Sequence, residues 1–106
     1  MKINNLTNMT RGWFIGNFLP TLWSTKEFEV AIQRYEKGDF EKPHVHKIAT
    51  EINVIIEGSV SMNDIIYNKN DIITIEPGEK IEFKSITDST LVVVKIPCVI
   101  GDKYTD

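Results

Sequence analysis

The stretch "GDFEKPHVHKIATEINVIIEG", residues 38–58, holds both histidines of this 106-residue chain. His44 and His46 are one residue apart, so on an extended strand both side chains leave the same face. Pro43 precedes the pair and removes a backbone donor, which suits a strand edge or a bend. Glu51 lies beyond "KIAT", a gap long enough for the chain to turn and pair back, bringing its carboxylate beside the imidazoles. Two imidazoles and one carboxylate with open positions form the facial triad that holds divalent iron and also suits manganese, nickel or zinc. The bare spacing equally describes two histidines on an exposed loop, so it decides nothing alone.

Working outward, nearly every periodic stretch has period two, the signature of strand. "WFIGNFL" (13–19) is a short apolar strand. "FEVAIQRYE" (28–36) alternates, with Phe28, Val30, Ile32 and Arg34 on one face; Ser24 and Glu27 match a capping box, but the alternation after Phe28 allows no more than one helical turn. "EINVIIEG" (51–58) is β-branched and stops at glycine. "SVSMNDIIYN" reads as a hairpin turning at Asn63-Asp64, residues that tolerate positive φ. "DIITIEPG", "KIEFKSI" and "STLVVVKIP" complete the set, and the tail "CVIGDKYTD" has no clear period. Eight to ten short strands without a long helix predict one all-β domain, an antiparallel sandwich or barrel. Ile52 to Ile56 and Leu91 to Val94 are apolar on both parities, which predicts cover on both sheet faces, by N-terminal strands or by a second subunit of a homodimer.

Composition narrows the function classes. A net charge of −3 gives no basic footprint for nucleic acid. The longest uninterrupted apolar runs are far shorter than a membrane span, and "MKINNLTNMTRGWF" lacks the apolar core of a signal peptide. The single cysteine, Cys98, cannot form an internal disulfide. It reads as a small buried hydrophobe, and the cytoplasm is the expected compartment.

Gly38, His44, His46, Glu51 and Gly58 coincide with every fixed position of the first cupin motif, and residues 28–97 resemble a small single-domain cupin. The resemblance implies a cupin-type jelly-roll β-barrel of antiparallel strands, with 1–27 as covering strands. It also implies that His44, His46 and Glu51 line the interior, as three of the family's usual metal ligands. The second motif departs from the pattern in "NDIITIEPGEKIEFKS": Asn70 replaces a glycine, Glu76 a proline, Ile81 the fourth-ligand histidine and Ser85 an asparagine. Isoleucine cannot bind a metal. Two readings follow: a three-ligand site for Fe, Mn, Ni or Zn, or a metal-free site in which His44 and His46 serve as catalytic acid, base or hydrogen-bonders, as in metal-free cupins among sugar-nucleotide isomerases, epimerases and dehydratases. Beside Glu51 a histidine pKa should rise; burial would oppose that.

Other side chains fall in the expected pocket. Asn53 shares parity with Glu51 and must find partners if buried. Arg34 in the barrel mouth would bind a carboxylate or phosphate, with Tyr35 competing from the other parity. Lys95 interrupts "LVVVKIP"; facing inward it needs a counter-charge such as Glu51 or Glu76, and facing outward it blunts a sheet edge. Trp13, Phe14 and Trp23 read as covering core or dimer contacts. The expected function is to bind or act on a small polar molecule, a sugar or sugar-nucleotide. The alternatives are a non-catalytic ligand- or metal-binding module and an iron-dependent dioxygenase-like enzyme, the latter weakened by Ile81.

Overall fold

The computed structural model describes residues 1–105. Nine strands follow one short 3-10 turn at Leu6–Asn8: β1 (Trp13–Ile15), β2 (Glu29–Tyr35), β3 (Phe40–Val45), β4 (Thr50–Glu57), β5 (Ser59–Met62), β6 (Ile65–Asn68), β7 (Ile72–Ile75), β8 (Lys80–Ser85) and β9 (Ser89–Ile96). They build two antiparallel sheets, β1-β2-β9-β4-β7 and β3-β8-β5-β6. The fold is therefore all-β, and Ser24–Glu27 form no helix. No helix of the described residues is long and apolar enough to cross a membrane.

Period-two patterning decides which side chains enter the core. Ile55, Val60, Met62, Ile75, Phe83, Leu91 and Val93 form one buried cluster, contributed by both sheets. Tyr35 packs its ring 4.6 Å from that of Phe83. The same alternation leaves the far face of the larger sheet aliphatic. Val30, Val94 and Ile52 run in one cross-strand row, and Ile32, Val92, Val54 and Ile72 in the next.

Turn chemistry sets the register. Asn63 and Asp64 both adopt positive φ, 52° and 65°, in the two-residue link between β5 and β6, which is the geometry that matches hairpin twist. Gly58, between β4 and β5, has φ +84°, and a Cβ there would collide with the Asp88 carbonyl. Only glycine lets β4 pass so close to the loop before β9.

Candidate functional site

Strand register lines up three charges. Lys95 on β9 pairs with Glu29 on β2 and with Glu51 on β4. Its Nζ lies 3.9 Å from Glu29 Oε1 and 3.9 Å from Glu51 Oε1. One row along, Asn53 faces Val93, and its Nδ2 donates to Glu51 Oε2 at 3.1 Å. Asn53 thus satisfies its buried amide partly on a carboxylate. From the smaller sheet, His44 on β3 lies directly opposite Ile81 on β8. These side chains border a cavity of about 370 Å³ that includes His44, His46, Glu51, Asn53, Ile81 and Lys95 in its wall. Trp13, Tyr35 and Phe83 add aromatic surface. The structure therefore brings together His44, His46, Glu51 and Asn53 around one cavity.

The two histidines differ. His44 Nδ1 lies 3.1 Å from the Lys42 carbonyl oxygen. A carbonyl only accepts, so Nδ1 is assigned the proton and Nε2 keeps its lone pair. His46 sits just beyond β3, with its ring centroid 5.4 Å from that of His44 and nearly perpendicular to it. It is buried, and its Nε2 has no hydrogen-bond partner. Burial, and then the Lys95 ammonium, hold its pKa below the ordinary histidine value; the opposing pull of Glu51 is weaker. The rise expected from Glu51 alone is thus corrected: His46 is a neutral imidazole at neutral pH.

A segment without readable periodicity fixes His46 in place. Asp102 accepts from the backbone N–H groups of Lys47, Ile48 and Ala49 at 2.9, 3.1 and 2.9 Å. Val45 and Tyr104 exchange both backbone hydrogen bonds, at 2.8 and 3.0 Å. The His46 carbonyl accepts from Gly78 N at 2.8 Å. Nothing in the spacing of "CVIGDKYTD" announced this clamp. The one usable signal was an aspartate directly after the apolar, glycine-ended run 98–101, a residue suited to accepting several backbone donors.

Arg34 is placed elsewhere. It is exposed on the outer face of β2, with Val30 and Ile32, and is not part of the cavity wall. The inward parity of β2 is Glu29, Ala31 and Tyr35, because Ala31 packs against the core with no accessible surface. Tyr35 takes the position expected of Arg34. Its hydroxyl donates to Glu41 Oε1 at 3.3 Å, and burial foremost, with Glu41 behind it, pushes its pKa well above the usual phenol value. Tyr35 is therefore a permanent donor. Lys95 faces inward, 5.1 Å above the Trp13 ring, with Glu29 in place of Glu76 as its second carboxylate. Trp23 is 67% exposed and covers no core. Cys98 is buried, and its thiol donates to Glu29 Oε2 at 3.3 Å; burial pushes the thiol pKa up, as befits an unreactive side chain.

Several solved structures share this architecture. A Klebsiella pneumoniae protein with a double-stranded β-helix domain aligns with a TM-score of 0.68 at 20% identity, over 76% of this chain and 71% of that one. The fold is that of a cupin. KdgF from Halomonas aligns with the cupin barrel at a TM-score of 0.64 and 15% identity, over 71% of this chain and 74% of that one. Pac13, a Streptomyces nucleoside dehydratase, aligns at 0.66 and 16% identity, over 77% and 70%. No protein-family model and no curated protein matches the sequence.

Cupin barrels commonly carry a divalent metal held by imidazole and carboxylate donors. Two imidazoles with free Nε2 atoms suit a metal. The carboxylate does not complete the set: one oxygen of Glu51 faces Lys95 and the other accepts from Asn53. Ile81 occupies the position across from His44. Among the described residues no group of three or more His, Cys, Asp or Glu side chains is arranged to hold a metal ion. The residues present do not fit the three-ligand centre of His44, His46 and Glu51.

Proposed function

We propose that this cupin barrel binds a small, hydroxyl-rich molecule, a sugar or sugar-bearing nucleoside derivative, and that His46 moves a proton on it as a general base. The observation that carries the reading is His46, a buried residue of the cavity wall whose Nε2 has no hydrogen-bond partner. Native structures rarely leave such an atom unpaired, and a ligand hydroxyl or an acidic C–H would meet it. Tyr35 and Asn53 supply donors, Glu41 and Glu51 acceptors, and the rings of Trp13 and Phe83 a face for C–H surface. This mixture matches a neutral polyol better than a strongly charged ligand. Pac13, a nucleoside dehydratase with variants seen in complex with uridine, handles a sugar-bearing ligand of this kind.

The test is a melting-temperature screen against free sugars, nucleosides, nucleotide sugars and organic acids, with each hit followed by NMR for turnover. Ligand at about 100 times its Kd should add about 2.7 kcal/mol. Turnover of a sugar-bearing hit supports the base assignment. Binding without turnover makes the protein a non-catalytic binding module instead, and stabilisation by organic acids alone rejects the polyol reading.

We further propose a homodimer, acting in the cytoplasm, built on the aliphatic outer face of the larger sheet. Val30, Ile32, Val92 and Val94 carry no charge between them, and Ile72 is 66% exposed. An uncharged aliphatic patch of this kind can pair with its own copy across a two-fold axis. Val92→Lys should convert the dimer to monomer in sedimentation velocity at micromolar protein. A wild-type chain sedimenting at its monomer mass of 12.1 kDa would reject the interface.

A further inference from the structure

We infer that Lys95 is a built-in cation that stands in for the divalent metal of this barrel and excludes it. The inference starts from register. β9 runs between β2 and β4, so the residue at position 95 must lie between positions 29 and 51. Both of those are glutamates, with side chains only 9% and 13% exposed. Two carboxylates so well shielded from water require positive charge nearby. Lys95, 18% exposed, provides it from within the chain at 3.9 Å from each.

Both separations exceed hydrogen-bond length, so the ammonium serves by charge and keeps its N–H bonds available to a ligand. Its surroundings are those of a metal pocket with the metal's electrostatic place taken. Two imidazoles border the same cavity, one with its Nδ1 anchored on a backbone carbonyl as metal-bound histidines usually are. A divalent ion on the imidazoles and Glu51 would face a positive charge held on the same carboxylate. Ile81 removes one donor, and Lys95 cancels the value of another. On this account the departure at position 81 is half of a two-part change, and its partner lies in a strand that carries no metal-site motif.

The inference stands apart from the base assignment of His46, because it is read by metal binding alone. The full chain, produced without a polyhistidine tag, is titrated with Co²⁺ and followed by its visible d–d absorption. The wild type should show no histidine-dependent signal at micromolar Co²⁺. Lys95→Met keeps the length of the side chain and loses the charge; it should bind Co²⁺ at least about 100-fold more tightly, since a full unit of repulsion is removed. Lys95→Arg should exclude the ion as the wild type does, and adding His44→Ala to Lys95→Met should abolish binding. Wild-type protein that binds Co²⁺ as tightly as Lys95→Met, with loss on His44→Ala, overturns the inference. So does a folded Lys95→Met that binds none. If Lys95→Met does not fold, the wild-type titration with its His44→Ala control decides: imidazole-dependent binding refutes the role of Lys95 and its absence supports it.

Discussion

Replacing His46 with alanine should cut turnover of a ligand identified by the screen by about 10²–10⁴-fold, the usual contribution of a positioned general base. The melting temperature should fall only by what the lost packing of a buried ring costs. Most buried histidines are costly to remove because a partner is left stranded, but His46 Nε2 has none. Loss of packing remains, so His46→Gln, closer in volume, is the better stability control. The pH dependence has a definite sign. The folded-state pKa of His46 is lowered, so the unfolded chain takes up a proton first as the solution is acidified. The stability tied to the neutral ring is complete above about pH 6.5, the ordinary histidine value, and is lost as pH falls through the lower folded value. Activity should fall over that same acidic limb and stay flat around neutrality. Denaturant midpoints and rate–pH profiles for wild type and His46→Gln check both statements; an activity limb that persists in His46→Gln assigns the base elsewhere.

Asp102→Ala should be the most destabilising single polar change in the chain, at about 3 kcal/mol. Three backbone N–H groups end on this one carboxylate. Lys47 and Ile48 are exposed and can turn to water, but Ala49 is buried and its N–H would be stranded. A stranded buried donor costs about 1–3 kcal/mol, and bonds to a charged acceptor are worth more than neutral ones. In a domain of this size the loss should lower Tm by roughly 10 °C or more. Burial alone would push the Asp102 carboxyl pKa up; the three N–H bonds outweigh it and hold it below the usual carboxylate value. Its contribution is therefore complete above the unfolded value and disappears as pH falls through the folded one. The gap between wild type and Asp102→Ala should be wide at neutral pH and close in strong acid. Equal midpoints at neutral pH would show that the loop needs no such anchor.

What could be read in the chain before its fold was known divides along physical lines. Alternation and turn residues located most of the strands, because period two and positive-φ residues are local properties. The parity running from Glu51 to Asn53 and Ile55 held for the same reason. Arg34 failed on that very rule. Both parities of β2 carry apolar residues, and the inward side is chosen by packing of Ala31 against β9, which no local pattern contains. The charged row has the same character. Glu29 and Lys95 are 66 positions apart and meet only through register. The anchor on the loop after His46 left only the aspartate itself as a trace, since its three donors are backbone groups that any residue supplies.

That anchor also orders events in time. The carboxylate that holds residues 47–49 is 53 positions downstream of the last of them. During synthesis the imidazoles leave the ribosome long before the segment that fixes their loop, so a nascent chain carries the reactive groups without the frame that aims them. The pocket is finished late, and trimming back to residue 101 would remove its anchor while most of both sheets could still form.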